Sequence, residues 1–131
     1  MSDSFGHNIL EKVLLPDTVN GQNSRPFSVP RGAKTCTLHV PDLVGAATTL
    51  KVQAADPRSG DAESLTFRDL SAPVISGAAF TYSTVSAIAE SAATVIPVTA
   101  LGGGVLRLVA SAAQTGAVDA LTVLLTWGFD G

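Results

Sequence analysis

Short segments in which apolar and polar residues alternate recur along this chain. The clearest are residues 35–40, residues 48–55 and residues 120–129, which are rich in Val, Leu and Thr. Successive side chains of a strand point to opposite faces, so a period of two predicts strands with one buried and one solvated face. Gly, Pro, Asp and Ser separate the segments at roughly ten-residue spacing, which is typical of an all-β sandwich or barrel.

Individual segments allow more specific predictions. Residues 120–129 carry Leu121, Val123, Leu125 and Trp127 on one face, which predicts a central strand with Trp127 in the core. We expect residues 105–110 to pair antiparallel with it, because the two segments follow each other along the chain. Two prolines confine residues 25–29 to a sheet edge. In residues 84–93 a short helix competes with a strand or loop, since Ala and Glu favour helices.

About eight short strands in 131 residues predict one domain, a β-sandwich over residues 35–131. We favour a jelly roll over an immunoglobulin-like sandwich, because the Cys-Trp-Cys pattern of immunoglobulin domains is absent and Cys36 is the one cysteine in the sequence. Residues 1–34 contain three prolines between extended stretches. We expect them to form an extended N-terminal arm or an edge segment.

Charged residues make up 15% of the chain, against a usual share of about 25%, so Ser, Thr, Ala and Gly must cover much of the surface. A surface this poor in charge suits burial against copies of the chain or against a partner protein. The net charge is −3 and the basic residues are spread along the sequence. Binding to a phosphate backbone needs a basic cluster, so we expect no nucleic-acid partner.

The sequence has neither the basic and apolar run of a secretory signal at its start nor an apolar stretch of about 18 residues, the length that a membrane span needs. We therefore expect a protein that is made in the cytoplasm and has no membrane partner. If it acts elsewhere, it is carried there as part of a larger assembly.

The candidate chemistry of the chain is sparse. Cys36 and His39 are three positions apart on one predicted strand and face opposite ways, which counts against a Cys-His pair. The two histidines, His7 and His39, are too few for the three ligands that catalytic zinc usually takes. There is no Gly-x-Ser-x-Gly motif, and the acidic residues between 56 and 69 are explained by solvation and turn capping. We expect no enzyme activity, no cofactor and no metal.

Three segments resemble the small virion structural proteins of tailed bacteriophages: Leu-Lys-Val-Gln-Ala at residues 50–54, Leu-Thr-Phe-Arg-Asp-Leu at residues 65–70, and Gly-Val-Leu-Arg-Leu-Val-Ala-Ser-Ala-Ala-Gln at residues 104–114. Within that group the chain is similar to jelly-roll capsid cement, or decoration, proteins. The resemblance implies a non-enzymatic clamp in the virion that binds the outer capsid surface. Its partners would be the major capsid protein and copies of itself, as a dimer or trimer.

The candidate contact residues lie in two regions, because loops at the ends of a sandwich are where such folds carry recognition. They are Phe5, Arg25 and Phe27 in the N-terminal region, and Asp56, Arg58 and Asp61 in a polar loop. The alternative function is a carbohydrate-binding or adhesin module of a tail or head fibre. In that case Trp127, Tyr82 or Phe80 would present a ring face to a sugar.

Overall fold

The computed structural model describes residues 8–18, 21–45, 47–56, 66–76, 79–101, 104–114 and 121–129. These residues form eleven strands and one short helical turn. The strands are β1 (Asn8–Leu15), β2 (Phe27–Ser28), β3 (Thr35–Val40), β4 (Thr49–Ala55), β5 (Phe67–Asp69), β6 (Ser71–Ser76), β7 (Ala79–Thr84), β8 (Ile88–Ala89), β9 (Ala92–Pro97), β10 (Val105–Ala110) and β11 (Leu121–Gly128), and the helical turn is α1 (Val98–Leu101).

Two antiparallel sheets pack against each other. Sheet A has the strand order β1-β11-β3-β9, and sheet B has the order β2-β10-β4-β5, with β8 also paired to β4. Strands β6 and β7 form a separate two-stranded ladder. The prediction of a single-domain, all-β sandwich is confirmed.

Strand pairing is nested along the chain. The first strand pairs with the last, β2 pairs with β10, β3 pairs with β9, and β4 pairs with β5 and β8. Two further pairings, β11 with β3 and β10 with β4, join these ladders into the two sheets. Each sheet is therefore assembled from both halves of the chain.

The expected pairing of the last two strands is wrong. Strand β10 lies in sheet B between β2 and β4, whereas β11 lies in sheet A between β1 and β3. After β10 the chain is held by earlier residues, because the amide of Ala110 donates to the carbonyl of Gln22 and the amide of Gln114 donates to that of Gly21. These bonds hold residues 110 and 114 against residues 22 and 21, where a hairpin to β11 would need β10 to pair with β11 instead.

The core lies between the sheets and is built from alternate residues of their strands. Its fully buried side chains include Leu38 on β3, Leu50 and Val52 on β4, Leu106 and Leu108 on β10, and Val123, Leu125 and Trp127 on β11. Burial of one such side chain contributes about 1.5–3 kcal/mol. The central position of β11 and the burial of Trp127 confirm the prediction made from the alternation of residues 120–129.

The described part of the N-terminal region belongs to the sandwich. Strand β1 is an edge strand of sheet A and pairs with β11 along its whole length, while Val13 and Leu15 are buried in the core. Strand β2 is an edge strand of sheet B. Residues 8–15 and 27–28 are thus edge segments of the two sheets. Residues 1–7 lie outside the described residues.

Candidate functional site

Cys36 and His39 lie on opposite faces of strand β3. Cys36 is fully buried, and burial, together with the carboxylate of Glu11, raises the pKa of its thiol from 9.0 to about 12. The thiol is therefore protonated at neutral pH, whereas the thiolate is the nucleophile. His39 is exposed on the opposite face of the strand. Within the described ranges, no group of three or more His, Cys, Asp and Glu side chains could hold a metal ion.

The outer face of sheet B is charged, and its groups bind one another. Lys51 Nζ lies 3.0 Å from Asp69 Oδ1, and Gln53 Nε2 donates to the same oxygen at 2.9 Å. The hydrogen bond from Gln53 is the largest cause that lowers the pKa of Asp69, and the hydrogen bond from Lys51 is the next. Arg107 donates from Nε to Gln53 Oε1 at 2.8 Å, and its guanidinium lies 4.1 Å from the ring centroid of Phe67. A partner docking on this face would have to compete with contacts made across β10, β4 and β5.

The outer face of sheet A has a different composition, and we name it the threonine face. It is formed by the outward-facing residues of four strands: Leu10, Lys12 and Leu14 on β1, Thr122, Leu124 and Thr126 on β11, Thr35, Thr37 and His39 on β3, and Ala93 and Val95 on β9. Lys12 and His39 are the titratable residues in this set. The threonine face therefore combines hydroxyl groups with apolar side chains and carries little charge.

The register aligns the threonine face in rows across the four strands. In one row Leu10 lies beside Thr126, Thr126 beside Thr37, and Thr37 beside Val95. Leu10 is 59% exposed and Val95 is 68% exposed, at the two edges of the sheet. A second copy or a partner would meet apolar groups at both edges and hydroxyl groups between them. Such a surface costs less to desolvate than a face of unpaired charges.

A shallow depression of about 380 Å³ adjoins the threonine face. It is lined by residues that include His39, Pro41, Ser91 and Leu124, so it joins the outer face of sheet A to the loops at one end of the sandwich. The depression gives the otherwise regular sheet surface a shape that a partner side chain could fill.

The loop between β3 and β4, residues 41–48, is held by two side chains from elsewhere in the chain. The carboxylate of Glu90 accepts hydrogen bonds from the amides of Leu43 and Thr48, both at 3.1 Å. Gln114 is fully buried, and its Oε1 accepts from the amide of Val44 at 2.8 Å while its Nε2 donates to the Val44 carbonyl at 3.0 Å. These bonds fix the loop and leave the side chain of Val44 43% exposed.

Three residues other than glycine in or near this loop have a strained backbone conformation. Ala47, Ala87 and Ser91 have φ values of 55°, 58° and 54°, in the left-handed region that costs residues other than glycine about 1–3 kcal/mol each. At Gly45 φ is 101°, and a Cβ there would lie 2.7 Å from Thr48 Oγ1, so the loop requires glycine at that position. We name residues 41–45, 47–48 and 86–91 the strained end of the sandwich. It is a second surface, beside the threonine face.

The candidate contact residues predicted from the sequence have different surroundings in the structure. Arg25 is exposed, with Nε 3.4 Å from Asp17 Oδ1. The side chain of Asp56 is 15% exposed, and its Oδ2 lies 3.1 Å from Arg68 Nη1. The two charged candidates that the structure describes thus have ionic partners within the chain. Phe5, Arg58 and Asp61 lie outside the described residues.

Phe27 does not lie where a contact residue is expected. It is 6% exposed, and its ring centroid is 6.4 Å from that of Trp127. The alternation of β2 places its ring inward, while the next residue, Ser28, is exposed. Phe27 is therefore a core residue, contrary to the expectation, and its ring is not available to a partner on the surface.

The aromatic residues proposed to bind a sugar in the alternative function also differ in their exposure. Trp127 is fully buried, which removes it as a platform for a sugar. Tyr82 on β7 is 70% exposed. The side chain of Phe80 lies outside the described residues. Of the three rings, Tyr82 is the one that the structure places at the surface.

Comparison of the chain with protein-family models, with curated proteins and with solved structures found no match. None of the helices in the described part of the chain has the length and apolar character needed to cross a membrane. The fold and its surfaces define a β-sandwich with one charged and one charge-poor outer face.

Proposed function

We propose that the protein is a non-enzymatic capsid cement, or decoration, protein of a tailed bacteriophage. In this proposal it is made in the host cytoplasm, binds the outer surface of the capsid through the threonine face, and stabilises the shell. Its partners are the major capsid protein and copies of itself. The observation that carries the proposal is the threonine face, an ordered four-strand surface with little charge and with exposed Leu10 and Val95 at its edges.

The nested strand order supports the finer proposal that the sandwich is a jelly roll. A jelly roll has two sheets formed by two interlocked Greek keys, and it results when a long hairpin of strands is wrapped around a core. Wrapping a hairpin pairs the first strand with the last and the second with the one before the last. The pairings β1 with β11, β2 with β10 and β3 with β9 follow that order.

The energetics of a charge-poor face suit a protein that binds a shell in many copies. Each contact can be weak, because a capsid presents repeated sites and neighbouring copies raise each other's effective concentration. A ligand that binds the assembled shell but not its dissociated subunits stabilises the shell by mass action. The charged face of sheet B, whose groups bind each other, would remain toward solvent.

The test is co-sedimentation of the purified protein with mature capsids and with unexpanded procapsids of the source phage. Two single-arginine variants form a matched pair. Val95→Arg alters an exposed strand residue of the threonine face, and Ser28→Arg alters an exposed strand residue of sheet B. We expect wild type and Ser28→Arg to bind mature capsids saturably, and Val95→Arg to bind at least about tenfold more weakly, because an unpaired charge would be buried in the contact.

The possible outcomes test two claims separately: that the threonine face is the contact surface, and that the protein is a capsid cement protein. Wild-type binding that survives Val95→Arg would remove the threonine face as the contact. A wild-type protein that binds neither shell would overturn the cement proposal, and a glycan screen with a Tyr82→Ala variant would then test the fibre module. Urea unfolding of both arginine variants checks that each is folded.

A further inference from the structure

We propose that two copies of this chain associate through the free edge of β1, antiparallel, so that sheet A continues from one copy into the other. This inference rests on the proposed function, which names copies of the chain as partners, and it specifies the surface through which two copies bind. Its test needs no capsid, so that failure of the dimer and failure of capsid binding can be told apart.

The backbone of β1 defines where the edge is open. The carbonyl of Leu14 accepts a hydrogen bond from the amide of Arg25 at 3.0 Å, on the side away from β11. Peptide groups of a strand alternate between its two edges, so the even-numbered residues of β1 all direct their backbone groups to this outer edge. Within the described residues, no backbone hydrogen bond covers Asn8, Leu10 or Lys12 on that side. The open stretch therefore runs from Asn8 to Lys12 and ends where Arg25 covers Leu14.

Two neighbouring apolar side chains in this stretch are exposed. Ile9 is 48% exposed and Leu10 is 59% exposed. An exposed strand edge with apolar side chains is a template for pairing with another strand, and proteins usually protect such edges with charge or with a covering segment. Within the described residues Arg25 covers the second half of β1, and the exposed charge of the first half is Lys12, at the end of the open stretch. The first half, whose outer backbone groups no described segment covers, is what a second copy would cover.

The sequence of β1 selects one register for self-pairing. With Leu10 opposite Leu10 of the second copy, Asn8 lies opposite Lys12, and Ile9 lies opposite Glu11. This register uses the open residues alone, and its three outward pairs exchange about six backbone hydrogen bonds. Moving the centre to Glu11 would set two carboxylates opposite each other and would bring Asn8 against Leu14, whose carbonyl is already bonded.

The dimer has a consequence for the threonine face. The two-fold axis of this pairing is perpendicular to the sheet, so the outer faces of both copies lie on the same side. Two threonine faces then form one continuous surface that binds a shell with both halves at once. Five paired residues bury less than the roughly 1,600 Å² of a standard interface, so we expect dimerisation to be weak and dependent on concentration.

Disulfide formation between introduced cysteines tests this register directly. In a hydrogen-bonded antiparallel pair the Cα atoms are about 5.5 Å apart, within the range that a disulfide spans. We expect Leu10→Cys to form a disulfide-linked dimer under mild oxidation, at least about tenfold faster than Lys12→Cys, because only position 10 lies opposite itself. Lys12→Cys is the matched control, since it is exposed and on the same strand and face. A mixture of Asn8→Cys and Lys12→Cys should form the mixed dimer.

Three results would overturn the inference. They are a Leu10→Cys protein that stays monomeric, equal cross-linking at positions 10 and 12, and a wild-type protein whose sedimentation velocity shows a monomer at all concentrations tested. The native thiol does not interfere, because Cys36 is fully buried. Adding Val95→Arg to Leu10→Cys separates the two proposals. Cross-linking that persists while capsid binding is lost leaves the dimer standing and assigns the loss to the threonine face.

Discussion

The indole N–H of Trp127 donates a hydrogen bond to Oε1 of Glu11 at 3.0 Å, and this bond joins the last strand of the sandwich to the first. The two residues lie on neighbouring strands and on the core side of sheet A. Trp127 is fully buried, so its N–H depends on a partner inside the protein. The same carboxylate contributes to the raised pKa of Cys36. A polar contact at the edge of the core thus sets the environment of two buried residues.

Replacing Glu11 tests the role of this bond in stability. We expect Glu11→Ala to lower the free energy of unfolding by about 1–3 kcal/mol, because it leaves the indole N–H without an acceptor. Glu11→Gln keeps an oxygen in place and should lose less. Urea unfolding followed by the fluorescence of Trp127 measures both, and in the native state that emission should be blue-shifted and protected from acrylamide. Equal stability of the two variants would show that the bond contributes nothing measurable.

Cys36 predicts a loss of stability at alkaline pH. Its thiol has a pKa of about 12 in the folded protein and 9.0 ordinarily, so the folded state binds more protons than the unfolded state between these values. The stabilisation is fully present below pH 9 and declines by up to about 1.4 kcal/mol per pH unit between pH 9 and pH 12. The difference in unfolding free energy between wild type and Cys36→Ala, measured from pH 7 to pH 11, isolates this contribution from those of other groups.

The same thiol should resist alkylation in native protein and react once urea unfolds it. A pH-independent difference between wild type and Cys36→Ala would contradict the prediction. So would rapid reaction of the native protein with iodoacetamide at pH 8.

Glu90 should hold the loop of residues 41–48 in place. Glu90→Ala removes the acceptor of two amides, those of Leu43 and Thr48, and we expect a loss of about 1–3 kcal/mol and faster hydrogen exchange at both positions. Glu90→Gln retains one amide oxygen, so we expect an intermediate effect. Exchange of the Val52 amide in the core of sheet B serves as the internal control. Unchanged exchange at residues 43 and 48 in Glu90→Ala would mean that Gln114 alone fixes the loop.

Sequence patterns within single strands predicted which side chains of a strand are buried and which segment lies at a sheet edge. The alternation of residues 120–129 predicted a central strand with Trp127 inside, and the prolines around residues 25–29 predicted an edge, which β2 is. Pairing between strands could not be obtained in the same way, because alternation shows which side chains are buried but not which neighbour buries them. The predicted pair of β10 and β11 failed for this reason.

The surfaces were harder to predict than the strands. Thr35, Thr37, Thr122 and Thr126 are visible as outward positions of two predicted strands, yet they form one face only because β11 pairs with β3. Glu90 and Gln114 carry no sequence motif, and their role depends on a loop distant in the sequence. Phe27 was misassigned because a two-residue strand is too short to show an alternation.

The ladder between β1 and β11 determines when the protein can fold during its synthesis. Strand β1 is synthesised before its partner in sheet A, β11, and all the other described strands lie between the two in the sequence. Until β11 is synthesised, Val13 and Leu15 have no strand beside them, and the central strand of sheet A is missing. Long-range pairing of this kind is slow to form and exposes apolar strands meanwhile. Sheet A therefore cannot be completed until residues 121–128 have been synthesised, and any truncation that removes them deprives both β1 and β3 of a partner.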